Sequence, residues 1–546
     1  MSGLAKRRDK ASSDAEALRR KLEQGIRLQA QDRHDEAVSR FRKVIFAEPE
    51  NAAALKGLVQ SLIATQRAAQ ATELLDNRAA TLAETPAALS DLIGVCLAIE
   101  YFDLAESLLR RLLEIEPSDP VALLNLANIC ERRNEVQQAV DLVSKVIELD
   151  PAGGRASDAY GALGRILANQ AMFDDAIAAY RRAIELKPDS STVYTNLSAL
   201  FLSMGRNDDA LKVCEQALEI QPDCDGTRWN LSRALLAAGH IEEGWDLYGF
   251  GFAAGQRKPL RPFPGLIWDG EPLDGKTIMV WREQGIGDDL YFSTCYSDLI
   301  ARSGHVIVET DPRLVGLYSR TWPQATVRPD TPNSTGLGNY GKVDFDCTAP
   351  AGLVASKLRR KISDFPPENT KLVPDPARVA ECRAWLDTLG PGPKIGLAWS
   401  SGVSTRLRSL LYTELNDWAD LFRLEGVSVV NVQYANFEEP ARDLRREHGL
   451  TLHSMPGLDL FSDIEGAAAL TSCLDAVVSP GTFPAVLAAS LGIPVFYYSP
   501  KQGWPRLGTN RLPWFPSIRC HTLDYRTDRA ALAREVIGNL RTFLAR

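Results

Sequence analysis

A repeat of about 34 residues runs through the first half of the chain and limits what this half can fold into. Stretches with helical periodicity end in AEP, IEP, LDP, LKP and IQP, whose prolines are separated by 68, 34, 37 and 34 residues. A unit this short cannot bury an apolar face alone, so consecutive units must stack and share one continuous core. The prolines that mark the units are at positions 49, 117, 151, 188 and 222.

Small and bulky residues recur at fixed places within each unit. A small residue in the second helix lets two helices approach closely, and a bulky residue four positions later fills the seam between units. A small position in the first helix is kept as Gly25 and Gly164 but lost as Val59 and Ile93. The second-helix positions are Ala37, Ala71, Ala105, Ala139, Ala176 and Ala210, followed by Phe41, Leu75, Leu109, Val143, Tyr180 and Cys214.

This pattern resembles the tetratricopeptide repeat family. The resemblance implies six repeats over about 18–224 and a closing helix pair, GTRWNLSRALLAAGHIEEGWDLYGF. Trp245 and Tyr248 of the closing pair are interpreted as core residues. A solenoid of this kind has a concave groove suited to an extended peptide or a partner helix. We therefore expect a protein partner, with a spacer or dimerisation arm as the alternative role.

Composition excludes several classes of protein. The 546 residues include 62 Lys+Arg and 70 Asp+Glu, a net charge of −8 that gives no broad basic surface for nucleic acid. The sequence lacks an apolar run long enough to span a membrane, and its charged N-terminus does not resemble a secretory signal, which favours a cytoplasmic protein. The nine cysteines and six histidines are dispersed. We expect neither a metal site nor a disulfide framework.

The second half alternates short β-rich runs with amphipathic stretches, which predicts parallel α/β units. The fold class is therefore an N-terminal all-α tetratricopeptide solenoid followed by two Rossmann-like α/β lobes that face a cleft. The runs are KTIMVW, HVIVET, KVDFDC (342–347), KIGLAW, VSVVNVQY, LDAVVS and IPVFYY. The predicted division is a flexible N-terminus 1–17, repeats 18–250, a linker or docking segment 251–275, a first lobe 276–366, an inter-lobe linker and helix 367–393, and a second lobe 394–546.

Ligands of open α/β sheets bind at the carboxyl ends of strands. WREQGIGDDLYFS follows the first predicted strand of the second half, and Gly285 and Gly287 permit a tight turn into a helix. One of the two carboxylates, Asp288 and Asp289, suits the helix N-terminus as a cap. The other then remains free to act as a general base in the cleft.

Two more turns follow strands of the second lobe. AWSSGVSTRLRSL offers small residues and arginines to an anionic group, and a solvated loop is the alternative. VVSPGTFPAVLAASLG places a small turn before an apolar helix, whose backbone amides hold phosphate without a basic side chain. The predicted ligand residues of these turns are Ser400, Ser401, Gly402, Arg406 and Arg408 in the first, and Ser479, Gly481 and Thr482 in the second.

In order and spacing, these three turns resemble the GT-B glycosyltransferases of family 9, the heptosyltransferase-like group. The resemblance covers about 260–546. It implies a metal-independent enzyme without a cofactor, with Asp288 as catalytic base, Asp289 as the second choice, and Gly285 and Gly287 beside the donor. The turn Ser-Pro-Gly-Thr at residues 479–482, here called the SPGT turn, departs from the family pattern. Gly481 stands where the family usually has Asp, and Val486 where it usually has His.

The strings LGTNRLPWFPS and VVSPGT, together with the repeats, are similar to tetratricopeptide-containing flagellin glycosyltransferases. That resemblance implies transfer of a sugar from a nucleotide-sugar donor to Ser/Thr of a protein acceptor such as flagellin, bound by the repeats. It also implies a CMP-linked nonulosonic acid, such as pseudaminic acid, as donor. Arg511 and Trp514 are placed at the border of the donor pocket, with a surface arginine and a buried tryptophan as the alternative.

Two other functions stay open from the sequence. The changed SPGT turn fits a peptide-binding chaperone or adaptor whose GT-B module is not catalytic. A lipopolysaccharide heptosyltransferase-like enzyme fits the module but leaves the repeats without a role.

Overall fold

The computed structural model describes residues 2–81, 85–261, 263, 266–330, 343–402, 406–501 and 503–546. By compactness the chain forms two units, one of residues 1–167 and 174–188 and one of residues 168–173 and 189–546. Each unit is described by itself below.

Paired helices build the first unit. Asn51 and Asp119 cap two of the first helices of these pairs, because each side chain accepts a hydrogen bond from a free backbone N–H of the first turn. Pro86 and Pro120 begin two of these helices, where a missing N–H costs nothing. The helices are α1 (Ser2–Ala30), α2 (His34–Ala47), α3 (Ala52–Ala64), α4 (Ala68–Thr81), α5 (Pro86–Ala98), α6 (Phe102–Ile115), α7 (Pro120–Arg132), α8 (Val136–Leu149), α9 (Gly154–Asn169) and α10 (Phe173–Leu186).

The turn within each helix pair has the same backbone geometry along the chain. One residue per turn has a positive φ, between 56° and 93°, which redirects the chain into the second helix. This residue returns at the same spacing as the sequence repeat. The units therefore repeat in backbone conformation as well as in residue type. The residues are Asp32, Gln66, Glu100, Asn134, Ala171, Gly205 and Gly239.

Phe41 shows why small residues are needed in the first helices. Its ring is fully buried. A Cβ added at Gly25 would lie 2.7 Å from this ring, and one added at Gly57 would lie 2.4 Å from it. Phe41 therefore fills the seam between its own repeat and the next. Tyr180 has the same relation to Gly164, at 2.8 Å.

Replacing Phe41 by alanine should lower the free energy of unfolding by about 3–5 kcal/mol, because the seam cannot close over the space that the ring leaves. Phe46, in the same helix, is 92% exposed. Phe46→Ala should stay within about 0.5 kcal/mol of the wild type. Urea unfolding followed by circular dichroism measures both. Equal effects of the two substitutions would contradict the predicted seam.

The second unit begins with two more helix pairs and a short helix. The closing pair is part of the core of this unit. Trp245 and Tyr248 are 3% and 2% exposed and pack against Trp504 of the α/β region, which confirms their interpretation as core residues. The helices are α11 (Ser191–Ser203), α12 (Asn207–Ile220), α13 (Asp225–Ala238), α14 (Ile241–Tyr248) and α15 (Phe250–Ala253).

Two parallel five-stranded sheets form the α/β region, with strand orders β1-β5-β2-β3-β4 and β10-β9-β8-β6-β7. Strands β6 and β8 of the second sheet are wholly buried, and β2 of the first sheet is buried over its last four residues, as expected for sheets covered by helices on both faces. The result is two Rossmann-like lobes, the arrangement of the GT-B fold. The strands are β1 (Leu266–Ile267), β2 (Leu273–Trp281), β3 (Ser303–Thr310), β4 (Thr326–Pro329), β5 (Cys347–Pro350), β6 (Lys394–Leu397), β7 (Ser428–Asn431), β8 (Ala476–Pro480), β9 (Val495–Ser499) and β10 (Ile518–Thr522).

Helices cover these sheets and connect their strands. The helices of the α/β region are α16 (Ile286–Ser293), α17 (Tyr296–Ile300), α18 (Val315–Thr321), α19 (Ala351–Leu358), α20 (Pro376–Asp387), α21 (Arg406–Ser409), α22 (Ala419–Phe422), α23 (Glu438–His448), α24 (Ile464–Ser472), α25 (Phe483–Ser490) and α26 (Arg529–Leu544).

The strand predicted at 342–347 is wrong in position. Residue 342 lies outside the described residues, residues 343–346 are not in a strand, and β5 begins at Cys347. The apolar Val343 and Phe345 mimic a strand, but Phe345 instead packs against the ring of Phe263. The sequence also failed to indicate β1, β4 and β10, which lie at sheet edges where an alternating pattern is weak.

The segment 251–275 contains buried charges. Arg257 and Arg261 are 2% and 9% exposed and pair with Glu283 and Glu309 of the first lobe. This segment is therefore docked onto the lobe instead of being a free linker. The predicted domain boundaries themselves remain predictions.

No helix within the described ranges is both long enough and apolar enough to span a membrane.

Candidate active site

The segment REQGIGDD, residues 282–289, follows β2 directly in the first lobe and is here called the Gly-Asp turn. Gln284 has a positive φ of 60°, and Gly285 is the N-cap of α16. The turn thus reverses the chain within three residues, and its glycine leaves the first backbone amides of the helix open. The sequence predicts a turn into a helix at this place, but the positive φ falls on Gln284, and Gly287 lies within α16.

Glu283 holds this turn in place through hydrogen bonds to its carboxylate. Its carboxylate accepts two hydrogen bonds from Arg257, of 2.5 and 2.6 Å, and one of 2.7 Å from the backbone N–H of Gly352. Gln284 donates a hydrogen bond of 3.1 Å to the hydroxyl of Tyr248. The closing helix pair and the docked segment therefore hold the turn in place.

Asp288 is half-buried and caps its own helix. Its Oδ2 accepts a hydrogen bond of 3.2 Å from the backbone N–H of Gly285. Burial raises the pKa of Asp288, while backbone hydrogen bonds and the positive charge of Arg408, on the second lobe, oppose the rise. Asp288 is therefore close enough to the second lobe for the charge of Arg408 to act on it.

Asp289 points into the first lobe. It is fully buried, with Oδ2 accepting a 2.5 Å hydrogen bond from Thr310 and Oδ1 accepting 3.4 Å bonds from Tyr296 and Tyr318. Burial raises its pKa to about 6. These contacts tie α16 to β3, a supporting place and not one on the cleft.

A cavity of about 370 Å³ opens at the carboxyl ends of β8 and β9 in the second lobe. This size lies within the usual range for small-molecule sites. Aromatic side chains form much of its wall, and two arginines line it without any Asp or Glu. The lining residues are Ser401, Arg408, Leu411, Tyr412, Tyr434, Gly481, Thr482, Phe483, Tyr497, Tyr498, Ser499, Pro500, Gly503, Pro505, Arg506 and Leu512.

The charges of the cavity favour an anionic ligand. Two arginines, Arg408 and Arg506, line the cavity. Thr482 is the N-cap of α25, so the positive end of that helix also meets the cavity. A phosphate-bearing molecule with an aromatic or sugar ring matches both the charge and the wall.

Residues 400–402, here called the SSG loop, are held in place by two residues that were not predicted from the sequence. Gln433 Oε1 accepts hydrogen bonds of 3.2 and 3.1 Å from the backbone N–H groups of Trp399 and Ser400. The hydroxyl of Tyr434 pairs with Ser401 Oγ at 2.9 Å and accepts from Gly402 N at 3.1 Å. Both follow β7, so the strand-end rule was sufficient to find them. Residues 403–405 of this loop lie outside the described residues.

Tyr497 explains the glycine in the SPGT turn. A Cβ added at Gly481 would lie 2.5 Å from the Tyr497 hydroxyl oxygen, although the backbone at Gly481 needs no positive φ. The hydroxyl thus takes the space that a side chain at 481 would need.

The two candidate turns meet at the seam between the lobes. Helix α16, which carries Asp288, packs against α25, which follows Thr482. Tyr291 of α16 and Tyr497 of β9 also interact across this seam. Asp288 on one lobe and the cavity on the other are therefore neighbours, and Arg408 of the cavity lining acts on the Asp288 carboxyl.

The structure brings together only some of the residues predicted to bind a donor. Ser401, Arg408, Gly481 and Thr482 line the cavity, whereas the others lie outside its lining. Those others are Gly285 and Gly287 on the opposite lobe, the loop residues Ser400 and Gly402, the buried Ser479, the exposed Arg406, which donates to Gln170, and the exposed Arg511.

Trp514 is a core residue. It is fully buried among aromatic rings, including Trp245 and Phe365, and its neighbour Arg511 is exposed. Of the two interpretations left open by the sequence, the surface arginine and buried tryptophan is the one the structure has.

The cavity-lining residues that were not predicted from the sequence share one feature, their position at the carboxyl end of a strand. Tyr434 follows β7, and Tyr498 and Ser499 end β9, at the same edge of the sheet as the SPGT turn. The run VFYYSP reads as core because its residues are apolar or aromatic. Only the position at a strand end separates the lining residues from their buried neighbours.

A larger groove of about 750 Å³ lies elsewhere on the second unit, around Trp268. Of its lining charges, Lys357 pairs with Asp269 and Arg360 with Asp246, at 2.6 Å each. The other charged lining residues, Glu271, Asp274 and Arg302, are of mixed sign, so this groove does not share the cationic character of the smaller cavity.

Over the residues that the structure describes, no three His, Cys, Asp or Glu side chains cluster in a way that could hold a metal ion.

Comparisons with known proteins identify the repeats. The tetratricopeptide repeat family matches residues 28–93, and the C-terminal ARM domain of tetratricopeptide repeat protein 21 matches residues 114–231. The chain therefore carries tetratricopeptide repeats in its N-terminal half.

Among curated proteins, the chain is similar to Protein FlbA of Caulobacter vibrioides (strain ATCC 19089 / CIP 103742 / CB 15). The two are 34% identical over 301 residues, which is 52% of this chain and 50% of that protein. The match thus spans half the length of this relative.

Among solved structures, a glycosyl transferase family 9 protein from Veillonella parvula DSM 2008 matches with 13% identity and a TM-score of 0.39. It covers 50% of this chain and 99% of its own. A tetratricopeptide repeat protein from Parabacteroides merdae ATCC 43184 matches with 15% identity and a TM-score of 0.34, over 44% of this chain and 94% of its own.

Gly481→Ala should destabilise the second lobe by about 1–3 kcal/mol, because its Cβ meets the Tyr497 hydroxyl. Tyr497→Phe removes the oxygen nearest to that Cβ, so the double variant should recover most of the loss. Gly538→Ala, in α26 with no atom within 4 Å, is the matched control and should be neutral or stabilising. Thermal unfolding of the four proteins measures this. Purely additive effects of the two substitutions would contradict the predicted contact.

Proposed function

We propose that this protein is a glycosyltransferase that moves a sugar from a nucleotide-sugar donor to Ser or Thr hydroxyl groups of a protein acceptor. The observation that carries the proposal is that Arg408, which lines the cavity of the second lobe, acts on the carboxyl of Asp288 at the start of α16 in the first lobe. A group-transfer enzyme needs both groups, a carboxylate for the incoming hydroxyl and a cation for the departing phosphate.

The cavity supplies the leaving-group side of this reaction. Arg408 and the N-terminus of α25 offer positive charge to a nucleotide phosphate. Such preorganised charge stabilises the phosphate as the glycosidic bond breaks, without reorganisation during the reaction. Tyr434 and Phe483 provide flat surfaces for a base or sugar ring. Metal-independent transfer is part of the proposal.

Asp288 supplies the nucleophile side. As a general base it takes the proton of the acceptor hydroxyl while the hydroxyl oxygen attacks the anomeric carbon and the nucleotide leaves. A raised pKa makes Asp288 a stronger base than an exposed carboxylate. Asp289, buried behind it, supports α16 and takes no part in the transfer.

In this proposal the repeats bind the acceptor protein. We propose that their groove binds a protein, with flagellin as the first acceptor to try and a CMP-linked nonulosonic acid as the first donor. The support is the resemblance of LGTNRLPWFPS and VVSPGT to flagellin glycosyltransferases. All nine cysteines, each within the described residues, are free thiols, which supports a cytoplasmic location for the reaction.

Asp288→Asn should lower the transfer rate by about 10²–10⁴-fold, because the amide cannot take the hydroxyl proton. Donor affinity and thermal stability should change little. Asp274→Asn, at an exposed position of β2, is the matched control and should transfer at the wild-type rate. Intact-mass spectrometry of the acceptor measures transfer.

The pH profile gives a second readout of the same assignment. A base acts only when deprotonated, so the wild-type rate should rise with pH through the Asp288 pKa, which lies above the ordinary aspartate value. Asp288→Asn should lose that limb of the profile. An unchanged rate or profile in this variant would remove Asp288 from the base role.

A chain beginning at residue 189 should keep nucleotide-sugar binding but glycosylate its acceptor far more slowly than the full chain. The reason is the loss of the linked acceptor site, which raises the local acceptor concentration. A cut at 250 is unsuitable, because it removes Trp245 and Tyr248 from the core of the second unit.

Calorimetric donor titration and acceptor intact mass, each compared with the full chain, test this prediction. Equal transfer rates would show that the first unit is not the acceptor site. Loss of donor binding with an unchanged melting temperature would place donor contacts before residue 189.

A further inference from the structure

Arg506 is a buried cation at the wall of the cavity. It closes a short 3-10 turn, Trp504–Arg506, that follows β9, and it is 4% exposed. Trp504 of the same turn packs edge-on against Trp245 and Trp514, with ring centroids 6.3 Å apart in both cases. The turn is therefore rigidly supported, and the place of Arg506 beside the cavity is fixed by the core.

The hydrogen bonds of Arg506 leave its charge unbalanced. Its Nη2 donates to Ser499 Oγ at 3.1 Å, to His521 O at 3.1 Å and to Ser499 O at 3.4 Å, all of them neutral acceptors. Its Nε is sealed from solvent without any partner. Within the part of the chain that the structure describes, no ion pair involves Arg506.

Other buried arginines of this chain behave differently. Arg257 pairs with Glu283, Arg261 with Glu309, and Arg359 with Asp298. Removing a guanidinium from water is costly unless an opposite charge compensates for it. Arg506 is the buried arginine of the described residues that lacks this compensation, and it is also the one that lines the cavity.

We propose that Arg506 binds an anionic oxygen group, a carboxylate or a phosphate, of the ligand that occupies this cavity. The proposal rests on the proposed function and deepens it, because Arg506 then selects donors that carry a negative group at this place. Tyr497, Tyr498 and Leu512 surround the site with poorly hydrated surface, which strengthens the attraction. The same anion completes the polar environment of the buried guanidinium.

Two sources of the anion are distinguished by the choice of probe. CMP carries only the phosphate, N-acetylneuraminic acid carries only the sugar carboxylate, and CMP-N-acetylneuraminic acid carries both. Inorganic phosphate tests the anion alone. The full-length chain is titrated with each probe by calorimetry, as wild type, Arg506→Gln, Arg506→Lys and the control Arg541→Gln, an exposed position of α26.

Arg506→Gln should weaken CMP-N-acetylneuraminic acid binding by tenfold or more, Arg506→Lys should weaken it less, and Arg541→Gln should stay within twofold of the wild type. An equal loss for CMP identifies the phosphate as the group bound. An unchanged CMP affinity identifies the sugar carboxylate. Wild-type affinities in a folded Arg506→Gln variant would overturn the proposal.

A second measurement does not depend on the glutamine variant folding. In wild-type protein labelled with ¹⁵N-arginine, the Nε–H resonance of Arg506, assigned by its absence in Arg506→Lys, should shift when a bound probe reaches the guanidinium. No shift with any of the four probes would overturn the inference. A shift with inorganic phosphate in a chain that binds no nucleotide would keep the inference and remove the proposed function. Nucleotide binding without an Arg506 shift would do the reverse.

Discussion

The buried ion pair of Arg257 and Glu283 is the contact on which the candidate site most depends. It lies directly beneath the Gly-Asp turn and joins that turn to the docked segment and to the closing helix pair. Removing one partner of such a pair leaves a buried charge and typically costs about 3–5 kcal/mol. The turn that carries Asp288 therefore owes its position to residues outside its own lobe, and the closing repeat is structurally part of the region that holds the candidate site.

This dependence changes the division of labour along the chain. A boundary at residue 250 follows composition, but packing puts the last two helix pairs with the α/β lobes. Trp229, Trp245 and Tyr248 belong to the same core as strands β2 and β8. The first unit is thus the part of the solenoid that we propose to bind a partner. The later helices instead pack against the lobes and support the candidate site.

The sequence predicts features that depend on local chemistry and fails where distant residues decide. The repeat period, the Gly-Asp turn and the parallel lobes follow from spacing and strand-end rules. Whether Asp288 or Asp289 faces the cleft depends on Thr310 and Tyr318, which are far away in sequence. The same is true of Arg506, because a buried arginine without a carboxylate can be recognised only once its surroundings are known.

We propose that one cleft holds the nucleotide sugar between Asp288 and the cationic cavity. A crystal structure of the full chain with a bound, unreactive nucleotide-sugar analogue tests this proposal most directly. We expect the phosphate beside Thr482 and Arg408, with the anomeric carbon turned toward Asp288. A nucleotide bound instead in the groove around Trp268, or with its sugar facing away from Asp288, would contradict it.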